Sequence, residues 1–431
     1  MGELENTVTP LETKEEKDLD ATGKTLEKDK EYIEIHSNLP PEEGLRAWLV
    51  VLGSFCMHWV ALGSIYTVGL FVPFYEEEFG KPRQELIVFG TLQTSLLFAF
   101  GIFSGKLADV HGVRKVYGFG CIFYVVGTFL ASFAKEFWHV VLTQGVLTGI
   151  GLGFMYWPGV TVVPMWFSKR RGLATALAVL GSGVGQFANG LIIQRLLDTR
   201  GTSHALLILS FFSAVLLFIG FLLMKRRLPL ESNSSYCKGI GILRNKTFVL
   251  FYVGTILFQF AYTTPFAHLP VYISDLEVGD SQFQGVAIGL MGAGSALGRV
   301  MLGWLSDKIG RLICFKLSIV ATSLIVIFWY WCDTEALILT FSILYGFFAG
   351  GFIALLFPVL GDYYGVHRLG SIAGLVSVGL VPGAFLGPWI AGRMYDEQGN
   401  YDLAIIVCSL FVCASSVVFA MLPRAENVPG A

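Results

Sequence analysis

An all-α integral membrane fold, with twelve transmembrane helices in two pseudo-symmetric six-helix halves, is what this 431-residue sequence predicts. Three observations carry that prediction. Hydrophobic residues make up 54% of the chain and charged residues 14%, against about 25% charged in soluble domains. Twelve apolar runs of about 20 residues, enough to cross a hydrocarbon core of roughly 30 Å, begin near residues 47, 86, 115, 138, 172, 204, 247, 283, 312, 335, 369 and 401. Finally, the chain repeats itself. Gly105, Leu107, Asp109 and Gly112 each return 198 residues on, as Gly303, Leu305, Asp307 and Gly310. Gly172, Gly181, Gly185, Arg195 and Asp198 match Gly370, Gly379, Gly383, Arg393 and Asp396 at the same offset.

Every run is expected to be helical, because hydrocarbon offers no partner to an unpaired backbone amide. Residues 1–44, charged and poor in large apolar side chains, read as a disordered cytosolic tail with no removable secretory signal. The halves are then 45–224 and 247–423, separated by a cytosolic linker at 225–246 and followed by a short tail at 424–431. Lys and Arg number 15 in the loops on the linker side and 6 on the other, which places the linker and both termini in the cytosol. A net charge of −2 and basic residues spread through loops give no support to nucleic-acid binding. The sequons at Asn233 and Asn245 fall in the linker and read as chance matches. The seven cysteines show no metal-like spacing and read as packing residues. No cofactor is implied.

Glycines four apart recur at Gly101/Gly105, Gly149/Gly153, Gly181/Gly185, Gly294/Gly298, Gly346/Gly350, Gly379/Gly383 and Gly383/Gly387. Such spacing lets helix backbones approach closely, and its matched placement in the two halves suggests sliding interfaces. Asp109 and Asp307, with Arg114, Arg311, Gly105 and Gly303 beside them, form gate-like loops. A carboxylate there gains roughly 0.3–1 kcal/mol or more from the amino end of a neighbouring helix, a contact that exists only when the halves touch; a plain loop cap is the alternative.

Arg299 is the one strongly charged residue well inside a span. A cation there is costly and marks a functional position by default, although it lies only about 12 Å along the helix from Asp307 and could instead snorkel or brace the gate. Tyr66, Gln93, Tyr156, Trp157, Gln186, Asn189, Gln259 and Tyr262 are candidates to line a mostly apolar central pocket, suited to an amphipathic or aromatic molecule rather than a sugar. No HExxH, GxSxG or intramembrane carboxylate pair suggests an enzyme.

The repeated loop and the division into six and six helices resemble the major facilitator superfamily over nearly all of residues 45–423. The stretch from Trp166 to Ala174, with Lys169, Arg170 and Arg171 at its centre, is similar to the fifth-helix signature of the monocarboxylate porter family. The segment Glu43 to Trp48 is similar to that family's first-helix opening. Together they resemble its fungal branch, which includes riboflavin and organic-acid porters and exporters of secondary metabolites. The resemblance implies that Arg299 binds the substrate carboxylate. Animal-type members carry a carboxylate one turn before that arginine and a lysine late in helix 1 for proton coupling; here those positions hold Ser295 and Tyr66. That leaves His58 and His268 as the obvious proton carriers, each equally readable as a packing residue. The expected function is transport of a small organic carboxylate or amphipathic metabolite, with substrate, bilayer and protons as partners. The plasma membrane is the expected location and the vacuolar membrane the alternative. A non-transporting nutrient sensor of the same fold is the rival reading.

Overall fold

Each predicted apolar run is helical in the computed structural model, which describes residues 43–167, 170–227, 245–364 and 369–423. Helix α1 is Leu45–Ile65, followed by short helical turns to Phe79. Helix α2 comprises Arg83–Ala99 and Gly101–Ala108, bent by 45°; α3 is Val113–Ala131 and α4 is Phe137–Trp166. The run Arg171–Leu223 contains 53 residues, roughly 80 Å at 1.5 Å per residue, more than twice a hydrocarbon core. It breaks at Gly201, whose φ of 74° and ψ of 176° are not helical, and so supplies α5 (171–200) and α6 (202–223). Then come α7 (Lys246–Asp275), α8 (Ser281–Ile309), α9 (Arg311–Trp331), α10 (Glu335–Tyr364), α11 (Leu369–Gln398) and α12 (Asp402–Ala420). Ten helices among the described residues are long and apolar enough to span a membrane, or eleven with the bent α2; dividing the long run at Gly201 gives twelve.

The tail to residue 42, the linker at 228–244, Lys169 and residues 424–431 lie outside the described residues, as do the side chains of Asp109 and Arg171. Of the linker ends, Asn245 has a structural use: its side chain accepts from Thr247 N at 2.9 Å and Phe248 N at 3.3 Å, capping α7.

The 198-residue repeat is conformational as well as chemical. Gly112 (φ 91°, ψ 141°) ends the helical segment after α2, and Gly310 (φ 96°, ψ 135°) ends α8. Both lie in a region that side chains disfavour.

Helices α1–α6 pack on one another, as do α7–α12, and the two groups meet along two seams, α2 against α11 and α5 against α8. Apart from Gly101/Gly105, the glycine pairs seen in the sequence pack inside each group rather than along the seams; Gly101 faces both Trp157 of α4 and Ser377 of α11, across the α2–α11 seam. A Cβ on Gly181 would sit 2.2 Å from Phe55 O on α1, and one on Gly387 1.9 Å from Phe260 O on α7. Added to Gly346, it would sit 1.9 Å from Met291 O, where α10 presses on α8. The α5–α8 seam uses other glycines: Gly190 faces Gly285 and Gly289, and Gly183 faces Ala296. Sequence spacing identifies close approach but not the partner helix, and α5 carries one glycine face for each neighbour.

Two substitutions test this packing. Gly346→Ala forces backbone apart and is expected to destabilise by about 1–3 kcal/mol. Gly303→Ala, whose Cβ meets nothing within 4 Å, is expected to be neutral or slightly stabilising, since Ala favours helix over Gly by roughly 1 kcal/mol. Thermal unfolding of the two purified variants checks both; equal melting temperatures would contradict the packing.

Candidate substrate site and its closure

Arg299 is placed by α8 at the α5 seam and is 2% exposed. Its Nη1 donates to Val179 O at 3.1 Å and, over a short contact, to Ser182 Oγ. Its Nε and Nη2 have no partner among the described residues. The helix cores around it contain no Asp or Glu. A buried cation with three of its five N–H donors unused among the described residues carries a desolvation cost of several kcal/mol that only an anion or strong acceptors offset.

His58, Tyr156 and Tyr262 are within electrostatic reach of Arg299. His58 Nδ1 lies 2.8 Å from Ser54 O, so this nitrogen is the donor and Nε2 is left bare and unpartnered. The His58 ring stands 5.5 Å from that of Tyr156. Tyr66 and Tyr262 hydrogen-bond through their hydroxyls at 3.0 Å, joining the end of α1 to α7, and Tyr66 stacks on Phe266 at 4.5 Å. Gln259, 1% exposed, has neither amide atom paired. Tyr156 and Tyr262 are thus within electrostatic reach of both Tyr66 and Arg299.

Asn189 is not part of this group. It accepts from Trp59 Nε1 at 3.3 Å and lines a cavity of about 40 Å³ inside the first six helices, with Gln93, Gln144 and Tyr124. Gln93 bonds Thr148 there at 3.0 Å, and Gln186 Nε2 is tied to Ile288 O at 3.1 Å. Helical spacing could not distinguish the face of α5 toward α1 from the face toward α8.

Above the tyrosines the bundle is shut. Between Tyr66, Phe266 and Pro388 there remains a cavity of about 20 Å³, room for about one water. Arg83 closes that end. Its guanidinium grips Asp275 at the end of α7 in a bidentate pair, holds Glu76 through Nε at 3.0 Å, and lies 3.8 Å over the Tyr395 ring of α11. Asp396 of α11 accepts from the amides of Arg83 at 3.0 Å and Gln84 at 2.8 Å. Its repeat partner Asp198 on α5 accepts from the side-chain amide of Gln282 on α8, and Gln282 is itself 198 residues beyond Gln84. Repeat-related carboxylates thus tie both seams at this end, one through backbone amides and the other through a side chain. Tyr401 completes the cluster. Burial raises its hydroxyl above the ordinary phenol value although Arg83 lowers it, so it is a neutral donor.

A model of the Major Facilitator Superfamily matches residues 54–340 and, again, 277–430. The chain belongs to the Major Facilitator Superfamily. It is a multi-pass membrane transporter of that superfamily, acting on a small-molecule substrate. It is similar to the MFS-type transporter pynF of Aspergillus niger, with 30% identity over 89% of this chain and 90% of that one. It is also similar to monocarboxylate transporter 11 of Mus musculus, with 28% identity over 89% of each. The nucleoside transporter NupG has the same fold, with a TM-score of 0.70 at 15% identity over 88% of this chain and all of that one.

In this superfamily member the sequence-derived gate residues occupy the end opposite Arg83. A Cβ on Gly105 or Gly303 would meet nothing within 4 Å. The Asp307 side chain is 71% exposed, with Arg311 Nε 4.0 Å away. Arg311 instead holds Asp362 of α10 at 2.7 Å. Arg114 donates to Leu222 O at 2.6 Å and Met224 O at 3.3 Å, capping α6. Neither arginine crosses a seam through these bonds. The Asp109 side chain lies outside the described residues; a carboxylate-to-helix-end contact of the kind expected there and at Asp307 is made by Asp396, at the other end. Asp307→Asn is accordingly expected to change stability by less than about 0.5 kcal/mol, as thermal unfolding would show.

The signature stretches do meet. Glu43 N donates to Trp166 O at 3.1 Å, Arg170 N donates to Glu43 Oε1 at 2.9 Å, and Trp48 packs edge-on to Phe167 at 5.0 Å. The first-helix opening thus clasps the loop into α5. Arg83, Asp275 and Tyr401 were not visible as site residues in the sequence, where they look like ordinary loop residues. The one available signal was the matched pair Asp198 and Asp396.

Proposed function

We propose that the protein carries a small organic anion, a carboxylate on an apolar or aromatic body, across the membrane by alternating access, with Arg299 as the anion site. The observation that carries this reading is the buried Arg299 guanidinium, whose Nε and Nη2 have no partner among the described residues. A carboxylate fits that fork with two charge-assisted hydrogen bonds. The mouse relative's name, monocarboxylate transporter 11, is in keeping with such a substrate. Tyr66, Tyr156 and Tyr262 supply apolar faces and hydroxyls for its body, a composition that also suits an amphipathic secondary metabolite bearing an acid group.

The moving bodies are residues 45–224 and 247–423, rocking about the α2–α11 and α5–α8 seams. The loop charge count favours a cytosolic position for both termini and for the Gly105 and Gly303 end. The Arg83 end then faces outward and is closed in this conformation, and the plasma membrane is the proposed location.

Untargeted mass spectrometry of medium and extract from matched cells tests this, with the protein intact, absent, or carrying Arg299→Ala. An acid that accumulates inside and falls outside on deletion marks export, and the reverse marks import. The reading requires Arg299→Ala to match the deletion while still reaching the membrane; a neutral substrate or an active variant would overturn it.

A further inference from the structure

We infer that His268 is a proton-binding site governed by the closure at the Arg83 end, taking up a proton when that end opens and excluding it when that end is shut. The inference rests on the transport reading for its purpose, but its geometry stands independently.

His268 lies on α7 and is 0% exposed. Its Nε2 is 2.8 Å from Pro388 O on α11. A carbonyl only accepts, so Nε2 carries the hydrogen. Nδ1, 3.0 Å from the Tyr401 hydroxyl, must then accept, and Tyr401 donates. The Tyr401 oxygen in turn faces Arg83 Nη1 at 3.4 Å. Donation thus runs one way, from Arg83 to Tyr401 to His268 to Pro388 O. The middle link, Tyr401 to Nδ1, exists only while the ring is neutral.

A protonated His268 would carry a hydrogen on Nδ1 as well. Tyr401 could no longer donate to it, and on its other side stands Arg83, which has donors and no acceptor. In the closed arrangement that extra proton breaks the Tyr401-to-Nδ1 bond and sets two cations against one phenol oxygen. Once the halves part and Arg83 withdraws, the Tyr401 hydroxyl is free to turn, accept from Nδ1 and donate to water entering from the Arg83 side. Neutral imidazole and one solvent proton then give imidazolium, and reclosure expels the proton.

Other ionisable groups surround this chain. Arg83 and Asp275 act on His268 through space. Glu76 holds Arg83, Asp396 holds the Arg83 and Gln84 amides, and the rings of Tyr272 and Tyr395 lie 5.8 and 4.7 Å from that of Tyr401. The carboxylates among them also titrate, so the test must separate them from His268.

Spin labels placed at residues 85 and 397, whose native glutamates are 53% and 63% exposed on facing halves, report the opening of this end. The labelled full chain is measured in lipid nanodiscs by double electron–electron resonance from pH 8 to pH 5, without substrate. The long-distance population is expected to rise several-fold as pH falls. His268→Gln keeps one donor for Pro388 O and one acceptor for Tyr401 but cannot ionise, and should stay closed throughout. Tyr401→Phe removes the donor that keeps the ring neutral and should move the midpoint to higher pH. An unchanged distance in the parent protein, a His268→Gln response equal to the parent's, or an unshifted Tyr401→Phe midpoint would each overturn the inference. No substrate is present, so failure here leaves the Arg299 reading to its own test.

Discussion

Arg299→Ala is expected to reduce flux of the carried anion at least about 30-fold while leaving the amount of protein in the membrane unchanged. Truncating one partner of a buried, hydrogen-bonded charge pair costs about 2–5 kcal/mol, and each 1.4 kcal/mol is a factor of ten. Without substrate, the same change removes a buried cation with two unpartnered nitrogens among the described residues and should not lower thermal stability. This combination separates a binding arginine from a bracing one: a brace to Val179 and Ser182 would lose stability with activity. Arg299→Lys keeps the charge but loses the planar fork, and is expected to retain a small part of the flux. Initial rates in cells and melting temperatures of the purified variants provide both readings.

Arg83→Ala is expected to open the opposite end. The Arg83 side chain is 6% exposed and that of Asp275 26%. Breaking a fully buried pair costs roughly 3–5 kcal/mol; the access of Asp275 to water lowers this to about 1–3 kcal/mol, a shift of about 5- to 150-fold toward the open population. Cysteine accessibility near Tyr66 from the Arg83 side should rise accordingly. Asp275→Asn should act in the same direction by a smaller amount, because Glu76 still holds the guanidinium. Accessibility equal to the parent's in both variants would mean that the closure rests on Tyr66, Phe266 and the seams alone.

The helices were legible because hydrocarbon leaves the backbone few choices and makes length decisive. The repeat was legible because a turn such as Gly112 or Gly310 restricts its residue type. Arg299 was legible because charge inside a span is rare enough to stand out. The closure was not, since Arg83 and Asp275 sit at helix ends where charge is common and only their three-dimensional convergence distinguishes them. Asn189 shows a second limit. A polar residue on an apolar helix can face the seam or the interior of its own six-helix group, and periodicity carries both readings equally. Asp307 shows a third: a carboxylate and a helix end can engage at either end of a bundle, and a repeated loop motif does not say which carboxylate does so; here it is Asp396.

The most direct test of anion carriage through Arg299 is counterflow in proteoliposomes containing the purified protein, using the acid identified from cells and its uncharged primary amide. The account predicts saturable exchange of the acid by the parent protein, no measurable exchange of the amide, and loss of acid exchange in Arg299→Ala. Equal exchange of acid and amide, or acid exchange that survives Arg299→Ala, would contradict it.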